Sequence, residues 1–158
     1  MPAALVALVR GQNRYENVSQ ALALISHQPD FSTSQSLLIK PNFVVTQKPL
    51  AATHADALRA VLDFVRSRYE GPITIAEGPS TELASEGFRR LGYEALARSY
   101  DAELFDLNHD ETIPVDVYDW RLRPLRLHLA RSVVASDFRI SVGPPKPQRY
   151  RVLFLRNE

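Results

Sequence analysis

The 158-residue chain contains no cysteine. This excludes disulfides, thiolate metal sites, cysteine-ligated iron–sulfur clusters and cysteine nucleophiles within it. It also lacks an apolar run long enough to cross a bilayer, and the short apolar stretch of MPAALVALVR has no basic region before it. The sequence therefore reads as soluble, uncleaved and cytoplasmic, with no membrane partner. None of its six glycines falls in a Gly-x-Ser-x-Gly elbow, a Walker phosphate loop or a Gly-x-Gly-x-x-Gly fingerprint. Hydrolase, nucleoside-triphosphatase and standard dinucleotide readings lose support accordingly. An aromatic RNA-binding signature, zinc-finger spacing and a recognition helix are all missing, which argues against nucleic acid.

What is present is an alternation of strand and helix signals. Ala4–Val9 suits a first strand, and Val18, Ala21, Leu22 and Ile25 predict a helix over Tyr15–Ser26. After a loop from Pro29 to Ser36, Leu37-Leu38-Ile39 reads as a buried strand ending at Lys40-Pro41-Asn42. Thr53 with Asp56 resembles a capping box, followed by an apolar face of Leu58, Val61, Leu62 and Val65. Gly71-Pro72 stops that helix, and Ile73–Ala76 is a strand ending at Glu77-Gly78-Pro79-Ser80. Ser80 or Thr81 is expected to cap the next helix, with Leu83, Phe88 and Leu91 inward and Gly92 at its end. A short helix Tyr93–Arg98 and a strand Glu103–Leu107 follow. Thr112 to Leu129 alternates in a way that suits extended structure, with Pro124 at an edge. Phe138–Val142 is the last expected strand.

Such alternation predicts a single α/β domain over residues 1–146: a mainly parallel, three-layer, Rossmann-like sheet with antiparallel or edge strands in the C-terminal third, and an atypical tail over 147–158. Ligands in such sheets bind beyond the carboxyl ends of the strands. That edge should collect Lys40 and Asn42, Glu77, Gly78 and Ser80, Asp106 and Asn108, and Lys146, with Thr53 and His54 at a helix N-terminus that favours anions. We assign Lys40, Glu77 and Asp106 as catalytic candidates, Lys40 orienting or electrophilic and the carboxylates acid/base. Asn42, Thr53, His54, Gly78, Ser80, Asn108 and Lys146 are ligand-binding candidates for an anionic small molecule.

No metal is assigned. Asp106, Asn108 and Asp110 have the opening spacing of a calcium loop, but Glu111 stands where the turn glycine belongs and Val117 where the bidentate Glu belongs. His54, Glu77 and Asp106 could ligate a hard metal only by assembly across strand ends. His27, His109 and His128 read as surface or loop residues.

Charge is divided along the chain. Residues 1–119 hold 10 Lys or Arg against 16 Asp or Glu, a net −6, and residues 120–158 hold 9 against 2, a net +7. The excess fits either an anionic partner or arginines such as Arg121, Arg123, Arg126 and Arg131 on a wet face that neutralise the acidic part.

The segments LLIKPNFVV, Thr53-His54 before ADALRAVLDFV, ITIAEGPS, GFRRLGYEALARSYDAELFDLN and ASDFRISVGPPK follow one another as in the bacterial and archaeal family called domain of unknown function 362. The resemblance covers about residues 3–146. It implies an α/β domain without an assigned general activity, joined in other members to ferredoxin-like modules and so, in some, to redox-linked metabolism. This chain cannot ligate such a cluster by cysteine, and its cofactor is left unassigned. Where the family continues from Lys into Thr-His, Lys146 is followed by Pro147-Gln148-Arg149. Codons for the tail, read one base later, permit His-Ser-Asp-Thr-Val, so a frameshifted or truncated gene is one hypothesis beside an intact one, and under it Val152–Leu155 would be an apolar segment prone to association. Two functions follow: a small-molecule enzyme, or the inactive remnant of one, and a non-catalytic binding or accessory domain.

Overall fold

Leu37, Leu38 and Ile39 run without a polar interruption, and all three are buried in β1 (Leu37–Pro41). In the computed structural model, which describes residues 4–27, 29–31, 33–46, 49–80 and 83–144, β1 lies inside a four-stranded parallel sheet. Its companions are β2 (Ile73–Glu77), β3 (Ala102–Asp106) and β6 (Phe138–Val142), in the order β3-β2-β1-β6. Burial on both faces accounts for the unbroken apolar run of β1. The fold is α/β, with helices flanking the parallel sheet and a second, two-stranded antiparallel sheet of β4 (Thr112–Tyr118) and β5 (Pro124–Ala130).

The core forms on one face. Leu37, Ile39, Ile73 and Ile75 meet Leu58, Leu62, Val65 and Tyr93, all buried. The first three of those helical residues belong to α2 (Ala55–Arg66) and Tyr93 to α4 (Tyr93–Ser99). Each large aliphatic side chain so buried contributes about 1.5–3 kcal/mol. On the opposite face Leu38 and Ala76 are buried, whereas Glu103, Arg139 and Ser141 are exposed.

Side-chain clasps set the angles between elements. Asp63 of α2 accepts from Tyr15 Oη at 2.8 Å and Tyr100 Oη at 2.6 Å, tying α1 (Arg14–Leu24) and the end of α4 to α2. Burial first and that carboxylate second push the Tyr100 hydroxyl up to about 12. Arg66, at the end of α2, donates to the carbonyls of Gly71 at 2.7 Å, Tyr100 and Asp101 at 2.9 Å, and Tyr69 at 3.3 Å. One planar guanidinium thus fixes the approaches to both β2 and β3.

Several expectations need correction. Ala4–Val9 forms no strand: it is an irregular segment in which Leu5, Val6 and Leu8 are exposed, because no strand lies alongside to complete a ladder. The first helix ends at Leu24, two residues before Ser26. Thr53 does not cap α2. His54 does, its Nδ1 accepting from the Asp56 amide at 3.1 Å, because the Thr53 hydroxyl is already committed across the sheet. Ser80 does not cap α3 (Ala84–Arg90), whose N-cap is Leu83 with no side-chain bond, and Leu83 points outward; Thr81 lies outside the described residues. The third strand runs from Ala102 and stops at Asp106, since Leu107 opens a 3₁₀ turn. A short helix α5 (Arg131–Ala135) was not expected.

The extended stretch from Thr112 resolves into a hairpin. Ile113, Val115 and Val117 face Leu129, Leu127 and Leu125 across it, and Pro124 pairs with Tyr118 next to the turn, as the last pair of the ladder. Three arginines in or beside it are paired with carboxylates, Arg126 Nε with Asp116 at 2.7 Å, Arg123 with Asp119 at 2.7 Å and Arg131 with Glu111 at 2.9 Å, while Arg121 lies over the Trp120 ring at 4.3 Å. Much of the basic excess of this region is therefore balanced locally. No helix among the described residues is long and apolar enough to cross a membrane.

Asp137 staples the starts of β1 and β6, accepting from the Gln35 amide at 2.8 Å, the Ser36 amide at 3.1 Å and Ser36 Oγ at 3.3 Å. The Gln35 amide above all holds its carboxyl below the usual range. A depressed folded-state pKa gives stability that is complete above the unfolded value, about 3.9, and lost as pH falls through the folded value. Chemical denaturation from pH 6 downward should therefore show Asp137→Asn to be less stable than the parent near neutrality, with the gap closing below about pH 4. A gap independent of pH would exclude this role for the carboxylate.

Candidate functional site

The strand ends place two polar groups side by side. At the first, Lys40 Nζ lies 2.7 and 2.8 Å from the two carboxylate oxygens of Glu77 and 3.3 Å from the Pro41 carbonyl. The Glu77 side chain is only 4% exposed, against 38% for Lys40. Glu77 also accepts from the amides of Gly78 at 3.0 Å and Phe43 at 3.3 Å. A buried carboxylate needs such a set of donors, because desolvation of an unpaired charge costs several kcal/mol. The ammonium of Lys40 is correspondingly spent on Glu77, and a ligand meeting this pair meets no net charge.

Beside it stands Thr53, 3% exposed. Its Oγ1 accepts from the Asn42 amide at 2.8 Å and donates to the Val142 carbonyl at 2.5 Å, its amide donates to the Asn42 carbonyl at 2.7 Å, and its carbonyl accepts from Tyr93 Oη at 2.5 Å. Thr53 thus knots the exit of β1, the end of β6 and α4. Burial, with the Glu77 carboxylate second, pushes the Tyr93 hydroxyl up and keeps it a donor. Phe43 packs edge-on against Phe88, with ring centroids 5.6 Å apart, and against Tyr93 at 6.2 Å. Gly87 of α3 lets that ring in, since a Cβ there would overlap it.

The second group gathers at β3. Asn108 donates from its side chain to the Pro79 carbonyl at 2.8 Å and from its amide to Asp106 Oδ1 at 2.9 Å. A Cβ on Gly78 would stand 3.0 Å from Asn108 Oδ1, so the exits of β2 and β3 touch closely. The other Asp106 oxygen lies 3.0 Å from His109 Nδ1. His109 is exposed, as its sequence reading as a surface residue expects, and its ring is oriented by a carboxylate. The signal was the i, i+3 spacing across a tight turn.

A cavity flanks each group. One, of about 370 Å³, is lined by Leu83, Ser85, Phe88, Glu94, Leu104, Asp106 and His109. The other, of about 330 Å³, lies between α1, α2 and the end of β6, and its lining includes Arg14, Val18, Thr53, His54, Ala57, Val142 and Gly143. Lys40 and Glu77 line neither. Ser80 is exposed on the chain leaving β2, and Lys146 lies outside the described residues. Among the described residues no group of three or more His, Asp or Glu is placed to hold a metal ion. Arg14 carried no sequence signal beyond its type, since only the fold brings the start of α1 to the end of β6.

A family described as Domain of unknown function (DUF362) matches residues 37–150. The chain belongs to this family. The match begins at the first residue of β1 and takes in both strand-end groups. No curated protein matches the chain. The DUF362 description carries no activity, so chemistry must be argued from the geometry.

A double-mutant cycle of Lys40→Met and Glu77→Gln, read by chemical denaturation, should give a coupling of about 1–3 kcal/mol. Lys40→Met should be the costlier single change, because it leaves a buried carboxylate without its cation. A coupling below about 0.5 kcal/mol would show the pair to be screened like an ordinary surface bridge.

Proposed function

We propose that this DUF362 chain is a small-molecule-binding domain whose ligand joins an apolar body to a carboxylate or phosphate, held in the cavity between α1, α2 and β6. The observation that carries this reading is the meeting of Arg14 and His54 on one otherwise largely apolar cavity at the carboxyl edge of a parallel sheet. Two features support it. Arg14 is the first residue of α1 and lines the cavity, where its guanidinium can meet a carboxylate or phosphate. His54 Nδ1 accepts the Asp56 amide, so the neutral ring carries its proton on Nε2, a donor for a ligand oxygen.

Lys40, Glu77 and Asn42 then act as the floor that fixes the Thr53-His54 step, and Val18, Ala57 and Val142 receive the apolar body. A second reading, an enzyme that transfers a proton, is favoured by one observation, the Asp106–His109 contact in the neighbouring cavity. A carboxylate on Nδ1 leaves Nε2 of a neutral imidazole as a base.

Thermal melts with inorganic phosphate, benzoate and phenyl phosphate test the first reading. A ligand at 100 times its Kd should stabilise by about 2.7 kcal/mol. The shift should vanish in Arg14→Gln and survive in Asp106→Asn. Shifts indifferent to Arg14→Gln, or lost in Asp106→Asn alone, would move the site to the His109 cavity, and no shift with any probe would remove the anion reading.

A further inference from the structure

The parallel sheet stops at β6, which among the described residues is paired only with β1. The Phe138 amide turns inward to the Ser36 carbonyl at 3.2 Å. By the alternation of a strand, the amides and carbonyls of Arg139 and Ser141 then face outward, a template for another strand. Alongside lies an apolar cavity of about 440 Å³ lined by residues that include Leu22, Ile25, Phe31, Phe64, Phe138 and Ile140.

The same chain carries a strand-like segment with no sheet. Ala4–Val9 is uncharged, with Leu5 49%, Val6 83% and Leu8 92% exposed, and none of its backbone groups is paired with a strand among the described residues. Neighbouring residues of a strand point to opposite faces, so a run apolar on both belongs inside a covered sheet. Its departure from α1 is fixed: Asn17 Nδ2 donates to the Gly11 carbonyl at 3.0 Å, and Asn13 Oδ1 caps the helix at the Glu16 amide at 3.2 Å. Held on this course, the segment leaves its own β6 unpaired.

We propose that Ala4–Val9 of one copy adds as a strand to the open edge of β6 in a second copy, and reciprocally, giving a strand-exchanged two-fold dimer. The six residues of the segment match the five of β6 in length. A reciprocal exchange satisfies two open edges and covers two apolar segments at once, which a foreign strand on β6 would not, and exchange of an identical element is an inexpensive route to a dimer.

The absence of native cysteine makes the test clean. The full chain should sediment at twice its 17.8 kDa mass, and Val6→Asp and Leu8→Asp should each return it to one mass without loss of the helical circular dichroism, since both side chains are exposed outside the core. Mixing a chain bearing Ser141→Cys with chains bearing single cysteines at positions 5 to 8 should give a disulfide between copies for at least one position. A monomer, a dimer unchanged by either aspartate, undefined aggregates in place of a dimer, or a disulfide that forms only within a chain carrying both cysteines would each overturn the proposal. The last would mean insertion into the chain's own sheet.

Discussion

The strand-end architecture depends on one buried carboxylate. Glu77 ends β2 in a setting that excludes water, and its charge is tolerated because three donors converge on it: Lys40 near the end of β1, the Phe43 amide after β1, and the Gly78 amide after β2. Each donor is a positional constraint. Phe43 must turn back over the end of the sheet, which carries its ring into the cluster with Phe88 and Tyr93, and Tyr93 in turn reaches the carbonyl of Thr53. From Glu77 the chain of dependence runs through a hydrogen bond, an aromatic contact and a second hydrogen bond to the residue that closes the end of β6. Phe88 of this scaffold lines one cavity and Thr53 the other.

That arrangement explains what the sequence could and could not reveal. The strands β1, β2, β3 and β6 were legible because a parallel sheet buries continuous apolar runs, and α2 because its four apolar residues keep helical spacing. The convergence of Lys40, Asn42, Glu77, Asp106 and Asn108 on one edge followed from the same topology. Thr53 was misread because local rules assign a threonine ahead of Asp56 to a cap, whereas its hydroxyl is claimed by Asn42 and Val142, the latter 89 residues away. Ala4–Val9 was misread for the opposite reason: composition says that a segment can be a strand, not that a neighbour is there to pair with it. Arg14 gave no signal because only folding brings the start of α1 to the end of β6, whereas the contact of His109 with Asp106 is local and rests on i, i+3 spacing across a 3₁₀ turn.

The β4–β5 hairpin is a separate problem in covering surface. Its two faces divide cleanly, one with Ile113, Val115, Val117, Leu125, Leu127 and Leu129, the other with Asp116, Arg126 and His128. The three leucines keep about two-fifths to one-half of their surface exposed, so a two-stranded sheet, marginal by itself, is held by its attachments. Those attachments are at its root. Arg131 donates its amide to the Glu111 carbonyl at 2.7 Å, and Asp110 accepts from both the amide and the hydroxyl of Ser132 at 2.7 Å. The hairpin is thus anchored where it leaves and rejoins the parallel sheet, and its far end, with Trp120 and Leu122 exposed, is free of the core.

These constraints make β6 the element through which ligand binding and association would act on one another. Its end supplies Val142 and Gly143 to the cavity that holds Arg14 and His54, and Thr53 bonds the Val142 carbonyl. Its outer edge is where a second chain would add, and the segment that would add is joined to Arg14 by only Arg10, Gly11, Gln12 and Asn13. Pairing along β6 would restrict the strand whose end forms the cavity wall and, through the short link, the helix that positions the arginine. Anything that orders the wall before the ligand arrives lowers the entropy cost of binding, and by linkage the ligand must then favour the associated state to the same degree. The two proposals are independent in what carries them, a cavity in one case and an open edge in the other, but a single strand would couple their free energies.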